Sequence, residues 1–435
     1  MTIARLLAEA GLSEPEAARK GALFATLPAA ETRLFVPGRI EILGKHTDYA
    51  GGRSLLCAVE RGFCVAASPR EGRLVRLRDV RRGLEAEVRL EAGRAAPENG
   101  WVLYAATVAR RLAQNFPGPL CGADIAFASD LPRSSGLSSS SALVVAIFSA
   151  LSNVNRLEDR PEYRANIHGL EDLGGYLGCL ENGRTFRGLP GDRGVGTFGG
   201  SEDHTAILCC RRGELAQYAF CPVRHERSIP MPAGFTFAVA SSGVSADKAG
   251  SARDKYNRLS LSAAAILDLW RRKTGRDDDT LLAAATSYSG APDEILRLLN
   301  GAPYPSFDPS FLAGRFTQFI EETTRIIPEA GDALARGDLY AAGMLVERSQ
   351  ELAERLLGNQ IPETIFLARE ARRLGAAAAS AFGAGFGGSV WALVAEADAG
   401  AFCERWSAGY ASRFPITVPE AEFFATRPGP SLLRL

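Results

Sequence analysis

The 435-residue chain has no charge of one sign in excess, since Lys+Arg and Asp+Glu both number 50. That balance leaves no electrostatic footprint for nucleic acid or for an anionic membrane surface, and neither is expected as a partner. No run of 18 apolar residues occurs, so no membrane-spanning helix is expected. The eight cysteines, Cys57, Cys64, Cys121, Cys179, Cys209, Cys210, Cys221 and Cys403, contain no CxxC pair. Their spacing excludes a cysteine metal site, and they read as small buried thiols of a reducing compartment. Internal repeats are lacking too. The first residues, MTIARLLAEAGLSEPEAARK, mix acid and base along an amphipathic helix and are too polar for a signal peptide. A cytoplasmic protein is expected. What is present is ordinary for a globular chain, with 46% hydrophobic and 23% charged residues. The length exceeds the usual ceiling for a single core and predicts two domains.

The pieces RLFV (33–36) and IEIL (40–43) flank Pro37-Gly38 and read as strands, followed by strand patterns in LLCAVERGFCVAASPRE, GRLVRLRDV and LEAEVRLE. WVLYAATVARRLAQNF has helical spacing. GADIAFASD is a strand that leads into the Gly/Ser turn LPRSSGLSSSSA and a buried helix, ALVVAIFSALSNVN. Residues 181–200, ENGRTFRGLPGDRGVGTFGG, are rich in Gly and Arg and predict a long loop, which in a compact chain is usually functional or mobile. A strand restarts at GFTFAVASSG. Helices are predicted near 256–272, 281–299, 310–336, 339–357 and 362–374, before a strand at VWALVAE. The proline-spaced stretch 211–232 places the boundary, giving domains 1–220 and 221–435.

Three segments carry chemistry. LPRSSGLSSSSALVVAIF is strand, Gly/Ser turn and apolar helix. The unpaired N–H groups at such a helix start favour phosphate, and serine hydroxyls can bind phosphate or magnesium. The alternative is a serine-rich cap on a core helix, and no GK[ST] follows, so it is not the Walker pattern. GRIEILGKHTDYAGG sets Lys45, His46 and Asp48 after a tight turn, which suits a polyhydroxylated ligand or a self-satisfied polar loop. LGAAAASAFGAGFGGSVWALV enters a strand through five glycines, so its backbone packs closely on something or simply connects helix to strand.

Together and in this order, the three segments resemble the motifs of the GHMP kinases, and within them the galactokinase branch. PGRIEILGKHTDYAGG resembles that family's sugar signature, usually GRxNLIGEHTDYNGG. LPRSSGLSSSSALVVA resembles its phosphate loop, and GAGFGGSVWALV its GGGFGG motif. The likeness runs from about Leu34 to about Arg427. It implies an α+β fold of two domains, each a mixed or antiparallel sheet with packed helices, and an active site in the cleft between them. It also implies an ATP-dependent sugar 1-kinase that acts on galactose or a related hexose with ATP and Mg2+, as a monomer or weak homodimer. Arg39 matches the arginine that assists phosphoryl transfer, and Asp203, in GGSEDHTAIL, the catalytic base. Lys45, His46, Thr47, Asp48 and Tyr256 fall at sugar-binding positions. Ser134, Ser135, Gly136, Leu137, Ser138, Ser139 and Ser140 match the ATP phosphate loop, with Ser140 and Glu181 as magnesium ligands.

Three departures from the family pattern bear on the reading. Lys45 replaces the glutamate of EHTDY. The segment Glu181 to Asp203 is about ten residues longer than the pattern, so Glu171 or Glu202 stands beside Glu181 as a metal candidate. SEDH replaces IMDQ, and Ser349-Gln350 stands where Ser-His is usual. A buried charge without a partner costs on the order of 3–5 kcal/mol. Lys45 therefore needs either a protein carboxylate, such as Glu41 or Glu202, or an anionic sugar: a uronic acid or a sugar phosphate. A non-catalytic sugar and ATP sensor is the second alternative, opposed by the retention of Arg39, Asp203 and GLSSS.

Overall fold

The computed structural model describes residues 2–95, 100–132, 135–245, 252–301 and 304–435. Two short helices, Ile3–Glu9 and Glu14–Ala25, precede β1 (Thr32–Leu43), a strand buried on both faces along nearly its whole length. That burial is why β1, from Leu34 on, reads as an apolar run interrupted by the charged Arg39 and Glu41. With β2 (Arg53–Arg70), β3 (Leu74–Asp79), β4 (Leu84–Arg89) and β5 (Gly122–Ser129) it forms a sheet in the order β1-β2-β5-β3-β4. Only β3 and β5 pair in parallel within it.

The β1–β2 ladder slips twice, between Pro37 and Arg39 and between Glu41 and Leu43. Bulges of this kind re-aim side chains beside active sites. Freed from the ladder, the Arg39 N–H donates to Leu137 O of the serine-rich turn at 3.2 Å. A Cβ on Gly38 would lie 2.7 Å from that same carbonyl oxygen, so glycine is what lets strand and turn meet.

The hairpin β6 (Glu214–Ala219) and β7 (Arg224–Pro230) joins the first sheet through β2. The expected division at 220/221 therefore falls inside a hairpin that stays with the first sheet. The second sheet contains β8 (Phe235–Ser241), β9 (Ala378–Phe382), β10 (Ser389–Ala395) and β11 (Glu422–Thr426), in the antiparallel order β11-β8-β10-β9. Its alanine-rich face packs on the helices Pro362–Arg373 and Ala399–Arg413, with Trp406 fully buried between them. Finally β12 (Leu433–Arg434) returns to pair with β1.

Between the sheets in sequence, the helices Arg253–Thr274, Ala291–Gly301 and Pro309–Glu321 pack around Trp270, Phe316 and Phe319. Three of the predicted helices differ in detail, 339–357 among them, which ends in a π turn at Ala353–Leu357. The stretch 281–299 is two helices, Leu281–Ala285 and Ala291–Gly301. The stretch 310–336 is continuous but passes through a π turn at Glu322–Ile326. Such turns are often kept for a functional or buried contact, and this one sets Glu322, wholly buried, against the Lys45 turn. Among the described residues, no helix is long and apolar enough to cross a membrane.

Candidate active site

Arg39 leaves its bulge fully buried and reaches two separate segments. Its Nη2 lies 2.5 Å from Asp203 Oδ1, and its Nη1 donates to Gly136 O, in the serine-rich turn, at 2.5 Å. Burial pulls the guanidinium down, but Asp203, Glu202 and Glu41 outweigh it and raise its pKa. Arg39 is a fixed positive charge. Asp203 stands in the first turn of the helix Glu202–Cys209, where the helix dipole favours a carboxylate.

Beside Asp203, the Ser141 hydroxyl sits 3.2 Å from Asp203 Oδ2 and 3.0 Å from Glu181 Oε2. His204 Nε2 is 3.1 Å from the same Glu181 oxygen. Glu181 ends the helix Leu170–Asn182, and Glu171 lies in its first turn, nearly three turns away. The insertion thus leaves Glu181 at the site. The serine joined to it is Ser141, however, and not Ser140. One residue turns a helix by about 100°, so Ser140 points away, into a wide cleft of about 860 Å³.

That cleft is lined by Gly136, Ser138, Ser139 and Ser140 on one side and by Trp101 and Tyr104 on another. Ser138 adopts a left-handed conformation at φ 60° just before the helix Ser139–Asn155, and its buried hydroxyl has no hydrogen-bond partner. Ser135 instead donates to Pro132 O at 2.9 Å. Ser134 lies outside the described residues. The third glycine-rich segment packs here: a Cβ on Gly383 would approach Gly136 O at 3.0 Å.

On the other side of Arg39 lies a small polar pocket. Glu41, His46, Asp48, Glu202, Tyr256 and Gly383 are among the residues that line it. His46 Nε2 meets Ala384 O and Nδ1 meets Tyr49 Oη, each at 3.0 Å, which holds the ring in place. Asp48 accepts the N–H of Tyr49 on Oδ1 and that of Glu202 on Oδ2. Burial, with Asp48 and Tyr49 adding to it, holds the Tyr256 phenol well above its usual pKa, so it stays a donor. Glu202 is likewise pushed well up by burial, then by Glu41 and Asp48, against a smaller opposing effect of Arg39.

Two residues expected in this pocket do not line it. The Thr47 hydroxyl donates to Gly44 O at 2.8 Å and Arg53 O at 2.6 Å, so it is used within the turn. Lys45 turns to the opposite side, where Nζ donates to Ser380 Oγ at 2.8 Å and Ser349 Oγ at 3.3 Å. Ser349 passes its own proton to Glu322 Oε1 at 2.9 Å, and Ser380 donates to Gln350 Oε1 at 3.0 Å. The expected direct partner, Glu41 or Glu202, is not in ion-pair contact with Lys45; burial raises the Glu41 pKa, and the lysine's charge offsets that only in part. The ammonium is solvated by hydroxyls and tied to a glutamate one bond further out.

The predicted long loop runs over 183–200 and is fastened to the helix Trp101–Asn115. Arg110 Nε binds Asp192 Oδ2 at 2.6 Å, and Arg111 Nη2 donates to Arg184 O at 2.6 Å. The far end of the loop brings Thr197, Gly199 and Gly200 to the pocket. A Cβ on Gly200 would collide with Asp48 Oδ2 at 2.2 Å, and one on Gly199 would meet Tyr256 Oη at 2.6 Å. Four contributors escaped the motif reading: Glu41, Ser141, His204 and the loop glycines. Glu41 was visible as an acid where the pattern has asparagine, and His204 as the departure from IMDQ. Ser141 gave no signal beyond its neighbours.

Comparison with known proteins agrees with this geometry. The galactokinase galactose-binding signature matches residues 24–69, the GHMP kinase N-terminal domain 103–175 and the GHMP kinase C-terminal domain 332–412. A galactokinase of Chloroflexus aggregans is 30% identical over 389 residues, 88% of each chain. One of Roseiflexus sp. is 30% identical over 363 residues, 82% of each. The crystal structure of Lactococcus lactis galactokinase complexed with galactose superposes with a TM-score of 0.74 at 21% identity, over 96% of this chain and 99% of the other. Methanococcus jannaschii mevalonate kinase gives 0.57 at 14% identity, over 92% and 99%. These two similarities speak to the fold, whereas the matched segments and the full-length relatives speak to descent: the chain belongs to the galactokinase family of GHMP kinases.

Proposed function

We propose that this sugar kinase transfers the γ-phosphoryl group of ATP to the anomeric hydroxyl of a neutral hexose, galactose being the first candidate. The observation that carries the reading is the position of Arg39. One guanidinium joins Asp203, in the wall of the sugar pocket, to Gly136 O, in the phosphate loop. A hydroxyl held by His46, Asp48 and Tyr256 would meet Asp203 on one side and phosphate on the other. Asp203 takes the hydroxyl proton as the new O–P bond forms and the bond from the γ-phosphorus to the bridging oxygen breaks, releasing ADP. Arg39 orients Asp203 and spreads the charge on the transferring group.

The wide cleft beside the serine turn suits the nucleotide. Ser138, Ser139 and the helix start face the phosphates, and the Trp101 indole offers a face for the base. Magnesium fits as well. The partnerless hydroxyl of Ser138 and the carboxylate of Glu181, with Ser141 beside it, are hard oxygen donors. Among the described residues no three His, Cys, Asp or Glu side chains group for a metal, which suits an ion that takes most of its ligands from phosphates and water. When bound, it would neutralise phosphate charge.

The anionic-sugar alternative rested on Lys45, which faces away from the pocket. The sensor alternative has nothing to support it while Arg39, Asp203 and Ser138 to Ser140 are all in place. The test is ADP release from ATP and magnesium with a panel of hexoses, hexuronic acids and sugar phosphates. Turnover with galactose or a close epimer is expected; no turnover with any member would end the kinase reading.

A further inference from the structure

The long loop carries one polar side chain into the sugar pocket that the motifs do not account for. Thr197 is 2% exposed and lines the pocket. Its two neighbours in the chain are gripped by a single side chain, Asn257, in the helix Arg253–Thr274 directly after Tyr256. Asn257 Nδ2 donates to Gly196 O and Oδ1 accepts the Phe198 N–H, each at 2.9 Å. That grip leaves Phe198, at 39% exposure, on the outside and Thr197 on the inside. Gly196 makes the bend with a left-handed φ of 86°. Asn182, another residue of the pocket wall, is spent on the loop itself. Its Nδ2 donates to Gly199 O at 2.7 Å, and Oδ1 accepts the Arg184 N–H at 2.9 Å. Among the described residues, the Thr197 hydroxyl takes no hydrogen bond.

Resting on the kinase reading above, we infer that Thr197 is a specificity-determining residue: its hydroxyl hydrogen-bonds one hydroxyl of the hexose, and Asn257 is the positioning residue that presents it. A buried hydroxyl without a partner is costly until a ligand supplies one. It both donates and accepts, so it matches a neutral polyol in either sense. Lys45, at a sugar position of the family pattern, is turned away to Ser349 and Ser380, so the pocket lacks a contact from there. The loop adds a polar contact of its own and keeps it neutral. A site built to bond a substrate hydroxyl also rejects the analogue that lacks it, since the protein group is then left unpaired. The grip of Asn257 on residues 196 and 198 holds the Thr197 backbone from both sides, so little freedom is lost when the sugar binds.

Galactose binding to the whole protein, measured by calorimetry without ATP, tests this apart from turnover. Thr197→Val, nearly the same shape without the hydroxyl, should weaken binding by about 3- to 10-fold, the loss of one neutral hydrogen bond. Thr197→Ser, which keeps the hydroxyl, should stay within about twofold of the wild type. With ATP and magnesium the Thr197→Val loss should appear in KM for the sugar, with KM for ATP within about twofold. One of the monodeoxy forms of galactose should bind the wild type and Thr197→Val equally, because the partner hydroxyl is already gone. Asn257→Ala should weaken galactose binding on its own but add little to Thr197→Val, as two residues serving one contact do. Unchanged galactose affinity in a folded Thr197→Val would overturn the contact, as would an equal loss with every deoxy sugar. Thr197→Ala takes its place should Thr197→Val fail to fold. Losses that add in the double variant would overturn the role of Asn257. If galactose binds with this dependence but is not turned over, the kinase reading fails while the inference about Thr197 holds.

Discussion

Arg39 and Lys45 are two cations six residues apart, both about 1% exposed, at the two ends of one stretch of chain. Arg39 leaves a bulge toward the pocket and meets carboxylates directly. Lys45 leaves the following turn in the opposite direction and meets only hydroxyls, with Glu322 one hydrogen bond further on. Burial of a charge is therefore no guide to function; the direction and nature of its partners are. The first cation is the one the proposed chemistry uses, and the second fastens the signature turn to Ser349 and Ser380, more than 300 residues away in sequence.

If that contrast is right, the two ends should fail differently. The largest effect belongs at the Arg39 end. Asp203→Asn should lower kcat by about 10²- to 10⁴-fold, the range of general-base catalysis, with ATP binding retained. Steady-state kinetics with a nucleotide-binding measurement will check it, and unchanged kcat would break the comparison at its strong end. Next comes the loop wall. Gly200→Ala drives a methyl group into Asp48, and a misplacement of about 1 Å in a positioned group can cost 10²-fold. Its loss should fall on kcat/KM for the sugar, and leave KM for ATP near its original value.

Lys45→Met should behave in the contrasting way. It removes the donor to two buried hydroxyls, which should lower stability by about 1–3 kcal/mol in chemical denaturation, with kcat within a few-fold of wild type. A large kcat loss in a stably folded Lys45→Met would erase the contrast. The smallest effect concerns pH. The Glu202 pKa is raised above its ordinary 4.5 by burial and by Glu41 and Asp48. Its proton is favoured in the folded state, so the associated stability is full below about pH 4.5 and lost as pH rises through the raised value. Glu202→Gln, which keeps a donor, should flatten that dependence and raise the melting temperature more at about pH 8 than at about pH 5. An equal change at both would place the proton elsewhere.

Much of this was legible in the sequence. β1, the serine turn and the glycine turn are local features, with burial patterns and turn residues that declare themselves. Arg39, His46 and Asp48 follow from the first motif and Asp203 from its helix start. What stayed hidden depended on rotation or on distant contacts. Ser141 replaces Ser140 beside Glu181 because one residue swings a helix position by about 100°. The orientation of Lys45 is set by Ser349 and Ser380, on elements that no local pattern ties to the signature. Glu181, rather than Glu171, stays beside Ser141 because the inserted residues loop outward and are pinned by Asp192 rather than displacing the helix end.

The loop over 183–200 draws its hold from Arg110 and Arg111, on the side away from the reaction, and touches the pocket only at its last few residues. Its middle is held too, by Gln114 to Gly191 O at 3.1 Å, Asn115 to Pro190 O at 3.0 Å and Arg187 to Asn166 O at 2.6 Å, so the segment keeps its shape without help from Asp203 or Arg39. The last residues of the segment are the ones that touch the pocket, and there Gly199 and Gly200 leave no room even for a methyl group beside Tyr256 and Asp48.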